Sequence, residues 1–257
     1  MDRLTGVSRA LALLELFAGC PSEGLRERDV VAALNYPQST CCILLKKLVQ
    51  MGYLRYRQCD RLYLGTPRIG MMGDTFIQSH PVARQLNEWL GEIHDETGHL
   101  SFVAQQNGHE LQYIAFKQAR SEDGHAPSVG MKRPLAVAAS GRVILAFMPP
   151  NEAQRIVRRN NSESEFLAGK LRESDVLNEL QMIRRNGFAR SNPCFTPGLV
   201  GYATWLSGGE GDVPFAIGMA IPVHSALQEH DSGVDVLLRL RSEHLDRPEF
   251  AGGGVEL

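Results

Sequence analysis

Cysteine is scarce in this sequence, and what there is stands apart: Cys20, Cys41, Cys42, Cys59 and Cys194 include no C-x-x-C spacing. An odd, scattered set is no disulfide framework and fits a reducing compartment, so a cytoplasmic, unexported protein is expected. Long apolar runs are also missing. Pro134 to Pro150 is broken by Arg142 and falls short of the roughly 20 residues a membrane span needs, and Leu11 to Ala18 carries Glu15. No membrane partner is expected. Sequence signatures of catalysis are absent too: there is no GxSxG, no P-loop, no GxGxxG between a strand and a helix, and no HExxH. The eight histidines are scattered, and His94 and His99 do not share a helix face once Gly98 intervenes. No cofactor and no metal site are expected, although a metal site built from distant residues stays open as an alternative.

What is present is ordinary globular material. Of the 257 residues, 43% are hydrophobic and 22% charged, enough for a buried core and incompatible with disorder. At about 150 residues per domain, the length suggests one to two domains. The net charge of −2 hides an asymmetry. Residues 1 to 70 hold ten Lys/Arg (Arg3, Arg9, Arg26, Arg28, Lys46, Lys47, Arg55, Arg57, Arg61, Arg68) against six acids, while the remainder is acidic. A basic N-terminal unit joined to an acidic one points to an anionic partner for the first.

The basic unit reads as three short helices and a hairpin. Val7 to Ala18 places Ala10, Leu13, Leu14 and Phe17 on one face, and Arg26 to Leu34 forms a second helix. Pro37 is expected at the first position of a third helix, with Ser39 and Thr40 in its opening turn and Cys41, Leu44, Leu45 and Leu48 facing inward until Gly52 stops it. Tyr53 to Arg57 and Arg61 to Leu64 then read as two strands around Cys59-Asp60. Helix, helix, turn, helix and wing make a winged helix-turn-helix, which docks its third helix in the DNA major groove. The alternative is a small helical protein-interaction module; the wing and the basic balance argue against it.

Thr66 to Gly98 reads as helix in two pieces, broken at His80-Pro81. Beyond it, strand-like runs at Leu100 to Gln105, Glu110 to Lys117, Phe188 to Ser191, Leu199 to Leu206 and Val213 to Ile221 alternate with helical stretches at Ser140 to Phe147, Glu152 to Arg159, Glu173 to Asn186 and Ser232 to Asp246. Short turns such as Asn107-Gly108 favour an α+β domain on a mostly antiparallel sheet. The expected division is 1–66 for the DNA-binding domain, 67–80 for a linker helix, 81–247 for the second domain and 248–257 for a frayed tail.

Gly6 to Phe17, Tyr-Pro-Gln-Ser-Thr (36 to 40), Leu-Val-Gln-Met-Gly-Tyr-Leu (48 to 54) and Leu-Tyr-Leu-Gly (62 to 65) resemble the IclR family of bacterial transcription regulators in order and spacing. Arg-Pro-Leu (133 to 135), Ala139 to Phe147, Thr-Pro-Gly-Leu (196 to 199) and Ala-Ile-Gly-Met-Ala-Ile-Pro (216 to 222) extend the resemblance through the second domain, over residues 6 to 227 in all. It implies a GAF-like effector-binding domain controlling a winged helix, a homodimer or homotetramer, and a double-stranded DNA operator.

The third helix should present Gln38, Ser39, Thr40, Cys42, Ile43, Lys46 and Lys47, the positions left once the apolar stripe packs inward. Early-turn Gln38, Ser39 and Thr40 suit base edges, and Lys46 and Lys47 suit phosphate. Arg57 and Arg61 flank the wing and could touch backbone or minor groove. Members of the family often carry Arg or His where this chain has Cys42 and Ile43, so its operator is its own. Cys41 and Cys42 as a redox sensor is an alternative to Cys41 as small core.

For the effector, the main-chain amides of Ala139 and Ser140 at a helix N-terminus suit a carboxylate. The resemblance places further ligand positions at Ser191, Gly201, Gly218 and Ala220, where an acid has become a hydroxyl and the rest are apolar. Strand alternation puts Gly201, Ala203, Ala216, Gly218 and Ala220 on one face. A wide, weakly polar cavity walled by Phe102, Phe116, Leu135, Phe195 and Trp205 is expected, holding a small acid with an aromatic or bulky apolar body; the alternative is that the small residues let a helix sit close on the sheet. A domain serving only oligomerisation or partner contacts is the second functional reading, and an enzyme the third.

Overall fold

The computed structural model describes residues 6–18, 24–79, 81–120, 129–163, 171–191, 198–206, 214–226 and 230–245. The chain divides into two compact units, Met1–Ala83 and Arg84–Leu257.

The first unit runs α1 (Gly6–Ala18), α2 (Glu27–Leu34), α3 (Gln38–Gln50), β1 (Leu54–Arg57), β2 (Leu62–Gly65) and α4 (Pro67–Ser79). Leu13 and Phe17, four residues apart on α1, meet Val30 of α2 and Cys41, Leu45 and Leu48 of α3 in one buried cluster. Each large side chain so buried contributes about 1.5–3 kcal/mol. The α2 start is fixed by Asp29, whose Oδ2 accepts from the Arg26 backbone N–H at 3.0 Å, and its end by Asn35 in the left-handed region at φ 50°. Pro37 caps α3 rather than opening its first turn: its extended ψ of 138° turns the chain into the helix, and a cap needs no N–H. The wing is an antiparallel pair from Leu54↔Gly65 to Arg57↔Leu62. Leu25 adds a bridge that the sequence does not announce, exchanging backbone bonds of 2.9 and 2.8 Å with Tyr63. Thr66 Oγ1 donates to the Gly52 carbonyl at 2.7 Å and Arg68 Nη1 to that of Met51 at 2.7 Å, which ties the α4 start to the end of α3.

Helix α5 (Pro81–Thr97) begins in the last residues of the first unit and continues into the second, which then holds β3 (Leu100–Asn107), β4 (Glu110–Lys117), β5 (Lys132–Pro134), α6 (Ala139–Ala146), α7 (Pro150–Glu163), α8 (Glu173–Asn186), β6 (Phe188–Arg190), β7 (Leu199–Leu206), β8 (Phe215–Pro222) and α9 (His230–Leu245). The strands form one sheet in the order β5-β4-β3-β8-β7-β6, antiparallel throughout. The architecture is α+β, as the pattern predicts. Among the described strands, only β5, three residues long, has no counterpart among the expected ones.

Alternation sorts the sheet into two faces. Phe102, Ala104, Ala203, Trp205, Ala216 and Ala220 share a core with α6, α7 and α8. On the opposite face Ser101 Oγ donates to the Leu90 carbonyl of α5 at 2.8 Å, and Gly233 of α9 lies against Met219. The central layer is α6, all eight of whose residues are buried, Arg142 included. Among the described residues no helix is long and apolar enough to cross a membrane.

Candidate DNA-reading surface and effector site

Packing Cys41, Leu45 and Leu48 inward turns the rest of α3 to the surface. Gln38, Ser39, Ile43, Lys46 and Lys47 are exposed, while Thr40 and Cys42 are half-buried. Two of them have partners: Gln38 Nε2 donates to Glu27 Oε1 at 3.3 Å, and Lys47 Nζ to Gln50 Oε1 at 3.4 Å. Cys41 is fully buried, and burial, with the Glu27 charge nearby, pushes its thiol up. Closed in among Leu13, Val30, Leu45 and Leu48, Cys41 packs as a small core residue.

In the wing, Arg57 is committed. Its Nε donates to both carboxylate oxygens of Asp60, at 3.0 and 2.8 Å, and Nη2 lies 2.6 Å from Oδ2. This pairing holds the Asp60 carboxyl below its ordinary range. Arg57 thus braces the turn while its side chain stays 41% exposed, and Arg61 beside it is exposed and in the left-handed region at φ 57°. Arg55 and Tyr56 are also exposed on β1, and the sequence reading did not single them out; their position on the wing strand was the available signal.

The second unit builds its site around the start of α6. Between β5 and α6 the chain is held at Ala136 from two sides: its N–H donates to Asn160 Oδ1 at 3.0 Å, and its carbonyl accepts from Arg142 Nε at 2.9 Å. Ala138 then caps α6 with no side-chain bond to the first-turn amides, so Ala139 and Ser140 begin a helix whose positive end is not neutralised by its own cap. Ser140 is buried, and its Oγ makes no hydrogen bond of ordinary geometry. The Tyr113 phenol stands beside it. Burial pushes that phenol up, while the Ser140 hydroxyl and the Arg133 charge act the other way.

Tyr113 is the residue the sequence reading missed. A bulge between Val103 and Ala104 pairs Phe102 with Phe116 and Ala104 with Tyr113, so both β4 aromatics reach the α6 face although strict alternation would separate them. Phe102 meets Tyr113 edge to face, with centroids 5.4 Å apart.

The small-residue face is only partly open. Gly201, Ala203, Ala216, Gly218 and Ala220 do share it, but Ala203 and Ala216 are wholly buried in the core with α6, and Ala220 is buried in that core too, at 9% exposure. Gly218 is covered: a Cβ there would stand 2.2 Å from the Tyr202 carbonyl oxygen and 2.7 Å from Phe102 Cζ. At these three positions the small side chains serve close packing. Gly201 and Ser191 stay partly exposed, and the Ser191 Oγ accepts from the Gly201 N–H at 2.7 Å. Leu135 is fully buried against Gly141, and Phe116 is half-buried. Trp205 stacks on Phe147, centroids 4.8 Å apart, beyond the carboxyl end of α6 and so away from the amides. Phe195 lies outside the described residues. A cavity of about 200 Å³ opens at that same carboxyl end, lined by Leu145, Ala153, Leu177, Leu180 and Arg184 among others, not at Ser140.

No group of three or more His, Cys, Asp and Glu among the described residues could hold a metal ion, and His94 Nδ1 lies 3.3 Å from the His99 carbonyl rather than from its ring.

Residues 6–58 match the IclR helix-turn-helix domain, and residues 74–246 match the C-terminal domain of bacterial IclR transcriptional regulators. The chain belongs to the IclR family. It is a DNA-binding transcriptional regulator of the IclR type with an effector domain, in a family of regulators rather than enzymes. Among curated relatives it is similar to the Pca regulon regulatory protein of Pseudomonas putida, 22% identical over 228 residues, which is 86% of this chain and 76% of that one. It also resembles the HTH-type transcriptional regulator KipR of Bacillus subtilis, 24% identical over 188 residues, or 72% of this chain and 73% of that one. An IclR regulator structure from Alicyclobacillus acidocaldarius superposes with a TM-score of 0.72 at 19% identity, covering 97% of this chain and 98% of that one. The Thermotoga maritima IclR structure gives 0.70 at 19% identity, with 92% and 96% covered. At such identities these structures share a fold with the chain.

Proposed function

We propose that this IclR-type regulator acts in the cytoplasm as a homodimer or dimer of dimers on a two-fold symmetric operator, and that a small acid with an aromatic or bulky apolar body tunes its binding. One recognition helix covers only a few base pairs, so specificity needs paired half-sites, and the helical segment Thr66 to Gly98 supplies the dimer contact. In this reading Gln38, Ser39 and Thr40 read bases, Lys46 and Lys47 hold phosphate, and Arg61 reaches the backbone from the wing.

The observation that carries the effector reading is the start of α6, where the Ala138 cap gives the first-turn amides no side-chain bond and the buried Ser140 hydroxyl stands beside the Tyr113 phenol. The amides of Ala139 and Ser140 take the carboxylate, with Tyr113 beside them. Phe102, Phe116, Gly201 and Ala220 take the apolar body. A compact acid rich in oxygen, such as glyoxylate, would leave polar groups unpaired there at a cost of about 1–3 kcal/mol each.

Isothermal titration of the full chain with benzoate and with glyoxylate tests this, alongside Ser140→Ala and Ala220→Phe. Benzoate is expected to bind more tightly, and Ala220→Phe to abolish its binding. Tighter glyoxylate binding, or an Ala220→Phe protein that binds benzoate as wild type does, overturns the assignment.

A further inference from the structure

Glu27 opens α2 and Gln38 opens α3, and the 3.3 Å bond from Gln38 Nε2 to Glu27 Oε1 joins the two starts. Glu27 is half-buried, and its charge reaches both the Cys41 thiol and the Tyr63 phenol. The carboxylate thus sits where α2, α3 and the second wing strand meet. Gln38 is exposed at the leading edge of α3.

An ionised carboxylate accepts hydrogen bonds and cannot donate, whereas an amide has one accepting end and one donating end. Gln38 must therefore turn its NH2 group toward Glu27 and its Oε1 away, because the flipped amide would set two acceptors face to face. One Nε2–H stays free next to Oε1. That pair matches adenine in the major groove, whose N6 amino group donates and whose N7 accepts. Guanine presents two acceptors, O6 and N7, and would need both amide hydrogens, one of which Glu27 holds.

We propose that Glu27 is a positioning residue that fixes the amide orientation of Gln38 and thereby commits it to adenine over guanine. The inference rests on Gln38 being a base reader, as proposed above, and goes beyond it by naming the base and the residue that selects it.

Selection from randomised duplex DNA by the full-length protein tests both layers separately. Wild type is expected to favour adenine over guanine at one position of its site by about 5-fold to 150-fold. Glu27→Gln has the same shape but can donate as well as accept, so both amide orientations become accessible and the ratio at that position should fall toward one, with preferences elsewhere unchanged. Glu27→Asp keeps the charge but retracts it by one methylene and should relax the same position. Gln38→Ala should erase that preference, and adding Glu27→Gln to it should change nothing more. Wild-type preference in both Glu27 variants, with loss only in Gln38→Ala, overturns the positioning role and leaves Gln38 as a reader. No change at any position in Gln38→Ala overturns the reading itself, and relaxation at many positions in Glu27→Gln marks Glu27 as merely structural.

Discussion

Arg142 Nη1 stands 2.6 and 2.7 Å from the two carboxylate oxygens of Glu179, while Nε of the same guanidinium donates to the Ala136 carbonyl at 2.9 Å. One buried cation thus joins α8 to the segment that leads into α6, next to the amides of the candidate effector site. The Arg142 side chain is 8% exposed and Glu179 31%, so removing the carboxylate leaves a largely dry charge without its partner. Glu179→Ala is expected to cost about 2–3 kcal/mol, at the low end for a broken buried pair because Glu179 is partly solvated. Urea unfolding followed by tryptophan fluorescence reports this unit, since Trp89 and Trp205 both lie in it. A loss below about 0.5 kcal/mol would contradict the role, being the ordinary range for surface substitutions.

Two glycines on one sheet face should respond differently. A Cβ at 218 meets backbone at 2.2 Å, whereas the nearest atom to a Cβ at 201 is the Ser191 Oγ at 3.3 Å. Gly218→Ala is therefore expected to destabilise by about 1–3 kcal/mol and Gly201→Ala by less than about 1 kcal/mol. Equal losses in the same unfolding assay would mean that Phe102 does not cover Gly218 as described.

Apart from β5 and the Leu25 bridge, the described elements of both units were legible from periodicity and from Gly and Pro punctuation, because long amphipathic helices and apolar strands carry their pattern locally. What the sequence hid depends on cross-strand geometry. The bulge at Ile114, opposite the Val103–Ala104 step, turns Tyr113 toward α6, and no local signal in the sequence marks it. Alternation correctly put Gly218 with Gly201 on one face, yet only the register Phe102↔Gly218 reveals that an aromatic ring fills the space. Arg57 reads as a free wing cation until Asp60 folds back onto it across the turn. The bond between Gln38 and Glu27 spans two helices, so neither spacing nor propensity announces it.

Lys46 and Lys47 are both exposed on α3, Lys47 with only a 3.4 Å bond to Gln50 to give up. If each neutralises one phosphate, replacing either by Ala should lower the slope of log affinity against log salt by about 0.9. Fluorescence anisotropy with a selected operator at several salt concentrations measures it. An unchanged slope would place the lysines away from the backbone.

Arg57 depresses the Asp60 carboxyl, and the sign of the pH effect follows. A group whose folded value lies below its unfolded value stabilises fully above the unfolded value and loses that contribution as pH falls through the folded one. Wild type should melt above Asp60→Asn near neutral pH, and the gap should close as pH falls through and below the ordinary aspartate range. A gap that is constant from neutral to acid pH would show that the pair adds nothing to the wing.

If an acid bound at the start of α6 alters DNA binding by α3, the affinity for a selected operator should differ with and without saturating benzoate. Wild type is expected to change by about 5-fold to 150-fold, the usual range of coupling between two sites, and Ala220→Phe to show no change while binding the operator normally. Unaltered operator affinity in wild type, with benzoate bound by calorimetry, would sever the effector site from DNA binding and leave the second unit to assembly or partner contacts alone.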